Sequence, residues 1–337
     1  MMAVGWRGLS AGDVSRRLGL AGEVMARLAP VSRVGGPEVV LPAEGVAARL
    51  LARLGLEEAD RESTLAARPD VRREPELWWV LDRSYRLLLA QMGQRRAGDP
   101  AWRALPDRTG AVGRHLFVWV FLAVVPQVRD YHAAIGLTDE ESWDSLSALG
   151  DELASSRRLT GRAGLDATWG LPLVFTGVGF RLGRLGFERS CPESGEHEFL
   201  QVGESVLNTH VPASRTPLTD EACDASFARA IALAGQFPER VVGFACHSWL
   251  MDEQLTQYLP STSNILRFQR RFTTFTDRVR ADWAPIEHVF HRRFDGDDVP
   301  GALLDELPQR TTLERAIVTH LRSGGHWHNQ TGWLRTH

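Results

Sequence analysis

The sequence predicts an α+β protein: a helical half over residues 1–158, then a mixed α/β half over residues 159–337. Three observations carry this. Before residue 160 the chain reads almost entirely as helices, separated by loops rich in Gly, Pro, Asp and Arg. After residue 160 the texture shifts to short alternating runs that suit strands. Residues 199–272 then read strand, Pro-bearing loop, helix, strand, helix, strand, and two strands joined by such a helix can lie parallel.

Taken in order, helices are expected at 10–28, 43–56, 75–93, 114–135 and 139–158. The third opens on Pro75 in its first turn, where a missing N–H costs nothing. Leu116–Val125, ended by Pro126, is the longest apolar run; ten residues are too few to span a bilayer, so a buried helix is expected. Loops are expected at 29–42, 60–74 and 95–113, and the charged stretch Glu57–Glu76 reads as a solvated loop or helix end. Val178–Arg189 has strand character with a slip near Gly183 that predicts a bulge or turn. The first strand of the central unit is Phe199–Val211. Thr219 is a good N-cap, with Asp220 and Glu221 in the first turn; Cys223, Phe227, Ala230, Ile231 and Ala234 follow at helical spacing, and Gly235 stops the helix. The second strand, Val241–His247, runs into Ser248-Trp249. Ile265–Phe272 alternates apolar and polar residues and is expected as a strand with one wet face, and Ile286–Phe294 as another. Thr311 and Glu314 form a capping box for a helix to about Ser323, closed by Gly324-Gly325.

Composition narrows the function classes. At 337 residues the chain can hold two domains with substantial cores, and 43% hydrophobic with 24% charged residues is ordinary for a globular protein. A net charge of −3 gives no electrostatic case for nucleic acid. Every basic residue is Arg, a usage that fits a GC-rich coding bias. Three widely spaced cysteines (Cys191, Cys223, Cys246) do not form a disulfide framework, and with no evident signal peptide or membrane span a cytoplasmic location is expected.

The residues that can carry chemistry converge on one place. Parallel strands ending at His210 and His247 put both histidines on the sheet edge where open α/β sheets bind ligands. Period-two counting sets Val206, Asn208 and His210 on one face, which turns polar toward its end. A histidine there suits general-base work near neutral pH; a histidine bonded to backbone is the alternative. The loop from Val211 to Thr219 leads into a helix N-terminus, whose free N–H groups can hold a phosphate, and Arg215 can add a bidentate contact. Against this, Asp220 and Glu221 already satisfy the dipole. His247 and Ser248, adjacent on a strand, point to opposite faces and are not a nucleophile–base pair; no Gly-x-Ser-x-Gly elbow is present. His288-x-x-His291, expected on a strand, and His326-x-His328 lack a third ligand, so no metal is expected. Of the eleven tryptophans, Trp78, Trp79, Trp119, Trp169 and Trp249 lie in apolar surroundings and read as core, with the lining of an apolar tunnel as the sharper alternative.

The strings Leu207–Pro212, Pro217–Ser226, Cys246–Leu250, Ser263–Phe272 and Gly324–Leu334 together resemble the GNAT-like C-terminal half of two-domain bacterial acyltransferases, a family that includes the long-chain N-acyltransferases tailoring teicoplanin-type glycopeptides. The resemblance is clear over about 160–335 and weaker over the helical half. It implies a GNAT-like second domain that moves an acyl group from a coenzyme A thioester, as co-substrate, to a small-molecule amine acceptor such as an amino sugar. It implies His210 as general base and Tyr258 at the position of a general acid, with ordinary packing as the alternative for Tyr258; His247 can orient the acceptor or cap the following helix. Coenzyme contacts would come from Val211, Ser214, Arg215, Thr216, Thr219 and Ser248. The wider superfamily's pyrophosphate loop carries glycines, whereas Val211–Leu218 has none. That departure leaves two other readings open: a non-catalytic acyl-CoA-binding protein, or a thioesterase-like hydrolase using His210 with water.

Overall fold

The structure, a computed structural model, describes residues 5–33, 36–94, 102–168, 170–190, 204–213 and 216–336. The chain divides into two compact units, Met1–Phe180 and Arg181–His337.

The first unit is helical. Its elements are α1 (Ala11–Leu18), α2 (Gly22–Leu28), α3 (Glu44–Arg53), α4 (Glu58–Ala66), α5 (Pro75–Ala90), α6 (Gly110–Ala134), α7 (Asp139–Leu146), α8 (Ala148–Thr160) and α9 (Leu171–Phe175). The expected helix at 10–28 is two, because Gly19 adopts φ 67° and ends α1. The expected 139–158 helix is also two, α7 opening on a Thr138/Glu141 capping box and α8 following at Ala148. The stretch expected as a solvated loop or helix end holds α4, whose Asp60 and Thr64 are buried. α6 runs through Pro126 and is the core helix: from Leu116 to Val125 every residue is buried. It is long and apolar enough to cross a membrane, yet 72% of its most apolar window is buried within the protein. Trp79 and Trp119 are fully buried in this core. Trp169 lies outside the described residues.

The second unit is built on a six-stranded sheet of order β1-β2-β3-β4-β6-β5. Its strands are β1 (Gly179–Leu182), β2 (Leu185–Ser190), β3 (Glu204–His210), β4 (Arg240–Ser248), β5 (Thr273–Arg280) and β6 (His328–Arg335). The slip near Gly183 is a turn between β1 and β2, with Gly183 at φ 66°. β3 and β4 are parallel, joined by α10 (Asp220–Ala234), while β2–β3, β4–β6 and β5–β6 are antiparallel. α10 covers one face: Phe227 packs edge-on against Phe187 of β2 and Phe244 of β4 at 5.9 and 4.7 Å. Arg189 and Glu239, both nearly buried, pair through two bonds of 2.8 and 2.9 Å and pin β2 beside the start of β4.

Two expected strands are helices. Ile265–Phe272 holds α11 (Asn264–Gln269), capped by Ser263 on the Leu266 N–H. Its alternation misleads because Gln269 is buried, donating to the carbonyls of Leu250 and Asp252. Ile286–Phe294 holds α12 (Trp283–Phe290), with Pro285 in the first turn, where proline is tolerated. His291 ends it at φ 52°, so the pair His288/His291 sits on a helix and its cap, not on a strand. The chain continues through α13 (Gly301–Glu306) to α14 (Thr312–Arg322), which has the expected capping box, and then into β6.

Candidate active site

β3 and β4 bring the two strand-end histidines together. Asn208 lies opposite Ala245, and each strand runs two residues further to His210 and His247. The face they share is the one turned away from α10: Val206, Ala245 and Trp333 of β6 form a small apolar cluster behind them. Toward the strand ends this face becomes polar, as counting along β3 predicts.

Each histidine is held by a neighbour on the adjoining strand. His247 lies opposite Thr331 of β6, and its Nδ1 is 3.0 Å from the Thr331 hydroxyl. Partial desolvation lowers the His247 pKa from the usual histidine value. His210, 58% exposed at the side chain, places Nε2 3.3 Å from a carboxylate oxygen of Glu188 on β2. Glu188, His210, His247 and Thr331 thus form a polar row across β2, β3, β4 and β6.

The loop after His210 is braced from the β1–β2 turn. Arg184 donates through Nε to the Thr216 carbonyl at 2.9 Å and through Nη1 to the Pro212 carbonyl at 3.0 Å. Its own N–H donates to the Ser226 hydroxyl of α10 at 3.0 Å. A cavity of about 520 Å³ opens here, lined by Gly183, Arg184, Thr216, Ala222, Ser226 and Arg229 among others. Val211 is part-buried and Thr216 exposed; Ser214 and Arg215 lie outside the described residues.

At the head of α10 the Thr219 hydroxyl accepts from the Ala222 N–H at 3.2 Å, as its N-cap position predicts. The acidic first turn is balanced from α11 and the turn after it. Asp220 pairs with Arg271 at 3.0 Å and Arg267 at 3.4 Å, and Arg271 also reaches Asp224. Of the two acidic residues in the first turn, Asp220 has its charge matched by these guanidinium groups.

Ser248 accepts from the Leu250 N–H at 3.1 Å and so caps the short turn Trp249–Met251. Tyr258 follows a second short turn and belongs to a packed cluster: its hydroxyl is 2.9 Å from Nδ1 of buried His320, and its ring sits 6.1 Å from Trp327. The pair His326/His328 is engaged by buried carboxylates, His326 with Asp282 at 2.9 Å and His328 with Asp252 at 3.4 Å. Among the described residues no group of three or more His, Cys, Asp or Glu is placed to hold a metal ion.

Glu188, Thr331, Arg184, Arg267 and Arg271 are contributions that the sequence reading did not single out. Glu188 carried no local signal, because its place beside His210 comes from the β2–β3 pairing. Arg267 and Arg271 are four apart, a helical spacing that reaches one partner. Thr331 carried no local signal.

Residues 180–334 match the family model of the GNAT-like C-terminal domain, and residues 46–177 that of the N-acyltransferase N-terminal domain. Solved structures give the same class over the whole length. A mutant acyltransferase in complex with octanoyl-CoA is 36% identical, with 98% of this chain and 100% of that one covered and a TM-score of 0.86. An acyltransferase in complex with decanoyl-CoA and teicoplanin is also 36% identical, covering 97% and 99%, at the same TM-score. A complex of an acyltransferase with CoA and 10C-teicoplanin has the same identity, coverage and TM-score. No curated protein matches the chain. The chain belongs to the two-domain N-acyltransferase family, with a helical N-terminal domain and a GNAT-like C-terminal domain.

Proposed function

We propose that this protein is an acyl-CoA-dependent N-acyltransferase, moving an acyl group from a coenzyme A thioester to a small-molecule amine. The carrying observation is the full-length likeness to acyltransferases solved with acyl-CoA and with teicoplanin. Octanoyl and decanoyl donors in those relatives support a medium-length chain, and the glycopeptide supports an amino-sugar acceptor. A cytoplasmic location fits this reading, since acyl-CoA donors are made there.

His210 is the general base in this reading. As a neutral amine attacks the thioester carbonyl, the N–C bond forms and the amine proton passes to the imidazole. Collapse of the tetrahedral intermediate breaks the C–S bond, and the proton goes on to the coenzyme sulfur. His247, on the same edge, orients the acceptor through its free ring nitrogen. In this reading the coenzyme phosphates bind at the head of α10, where Val211, Thr216 and Thr219 line the approach and Ser248 can still donate its hydroxyl proton; Ser214 and Arg215, proposed as further contacts, lie outside the described residues. Arg184 holds the Pro212 and Thr216 carbonyls, a brace that stands in for glycine in this loop. Tyr258 is set among His320 and Trp327, and its hydroxyl is the proposed relay: it gives its proton to the departing thiolate and takes back the one released by His210.

A thermal-shift series with coenzyme A and acyl-CoAs from C4 to C14 tests the donor site. A ligand at a hundred times its dissociation constant adds about 2.7 kcal/mol. Stabilisation that rises with chain length toward C8–C10 and then falls is expected. No shift with any thioester contradicts the reading.

A further inference from the structure

We propose that Glu188 is a positioning residue for His210. Its carboxylate accepts the Nε2 proton and so leaves the Nδ1 lone pair to receive the amine proton. The proposal rests on His210 being the base, as read above.

The register carries it first. Gly186 pairs with His210 and Glu188 with Asn208, so Glu188 and His210 are diagonal neighbours on the same face of β2 and β3. Their contact is 3.3 Å, between Oε2 and Nε2. A carboxylate can only accept, so this contact assigns the ring proton to Nε2. A neutral imidazole then has one lone pair, at Nδ1, and only that atom can take a proton.

The two partners differ in how firmly they are set. Glu188 is 15% exposed and His210 58%. The strand under Glu188 is pinned at the next residue by the buried Arg189–Glu239 pair. The carboxylate is therefore the anchored partner and the ring the one being aimed. His247 lacks such a device: its partner, the Thr331 hydroxyl, can donate or accept and so leaves the tautomer open. This difference favours His210 over His247 as the base. In the reaction the N–H proton of the amine moves to Nδ1 and then to the coenzyme sulfur, while the Nε2 proton stays on the ring.

The test uses the full chain with 15N-labelled histidine. Long-range 1H–15N spectra are expected to show His210 as the Nε2–H tautomer, a bias lost in Glu188→Ala and kept in Glu188→Gln, whose amide oxygen still accepts. With decanoyl-CoA as donor and teicoplanin as acceptor probe, Glu188→Ala should lower kcat about tenfold, a fraction of what a whole base contributes. The KM for decanoyl-CoA should be unchanged, and Glu188→Gln should recover most of the rate. His210→Ala separates the two claims. Wild-type kcat in His210→Ala overturns the base reading whatever Glu188 does. Loss of activity in His210→Ala, beside wild-type kcat and an unchanged tautomer in Glu188→Ala, overturns the role of Glu188 alone.

Discussion

Burial decides what several histidines can do. Partial desolvation at the sheet edge lowers the His247 pKa, and His132, buried within α6, is pushed down to about 4 by desolvation, with the Arg129 charge adding to it. The unfolded chain binds a proton at His132 near pH 6.5, and the folded chain does not until about 4. The stability linked to this residue is therefore fully present above 6.5 and is lost as pH falls through that window, on the order of 3 kcal/mol in all. Urea unfolding between pH 7 and 4 should show this decline, and His132→Gln should flatten it. At this scale the sequence was partly legible. His210 and His247 stood out because each ends a run of strand-forming residues. Glu188 and Thr331 did not, because what selects them is strand pairing across 22 and 84 residues, which no local pattern encodes.

At the scale of elements, α10 shows what local chemistry can specify. Thr219, the two acidic residues after it and the apolar spacing all agree, and the helix runs where they predict. Removing the Thr219 hydroxyl leaves the Ala222 N–H without its partner, a loss of about 1 kcal/mol. Thr219→Ala should lower the unfolding midpoint of the second unit by about 2–4 °C. It should also weaken coenzyme A binding, since the cap adjoins the loop proposed to hold the phosphates. The misread elements have a common cause. α11 and α12 are short, and a short apolar run fits helix and strand alike. In α11 the buried Gln269 broke the face that counting relies on. In α12 Pro285 marked a first turn, a signal outweighed by the apolar residues after it. α4 was hidden by its charge: Asp60 is buried because Arg157 of α8 reaches it at 3.2 Å, a partner far away in sequence.

At the scale of the whole molecule, the division into a helical half and a sheet-bearing half was legible because the two periodicities differ, 3.6 against 2. The strand order was not, because β6 inserts between β4 and β5 from the far end of the chain. That insertion is what brings Thr331 beside His247 and completes the polar row. The shared family and architecture make acyl transfer to an amine the central claim. Its most direct measurement is mass spectrometry of products formed from decanoyl-CoA and teicoplanin, read beside the coenzyme A thiol released. The account predicts an acceptor heavier by one decanoyl group, in equal amount to the thiol, and loss of both in His210→Ala. Thiol release matched by free decanoic acid, with no acylated amine, would contradict it and make the protein a hydrolase.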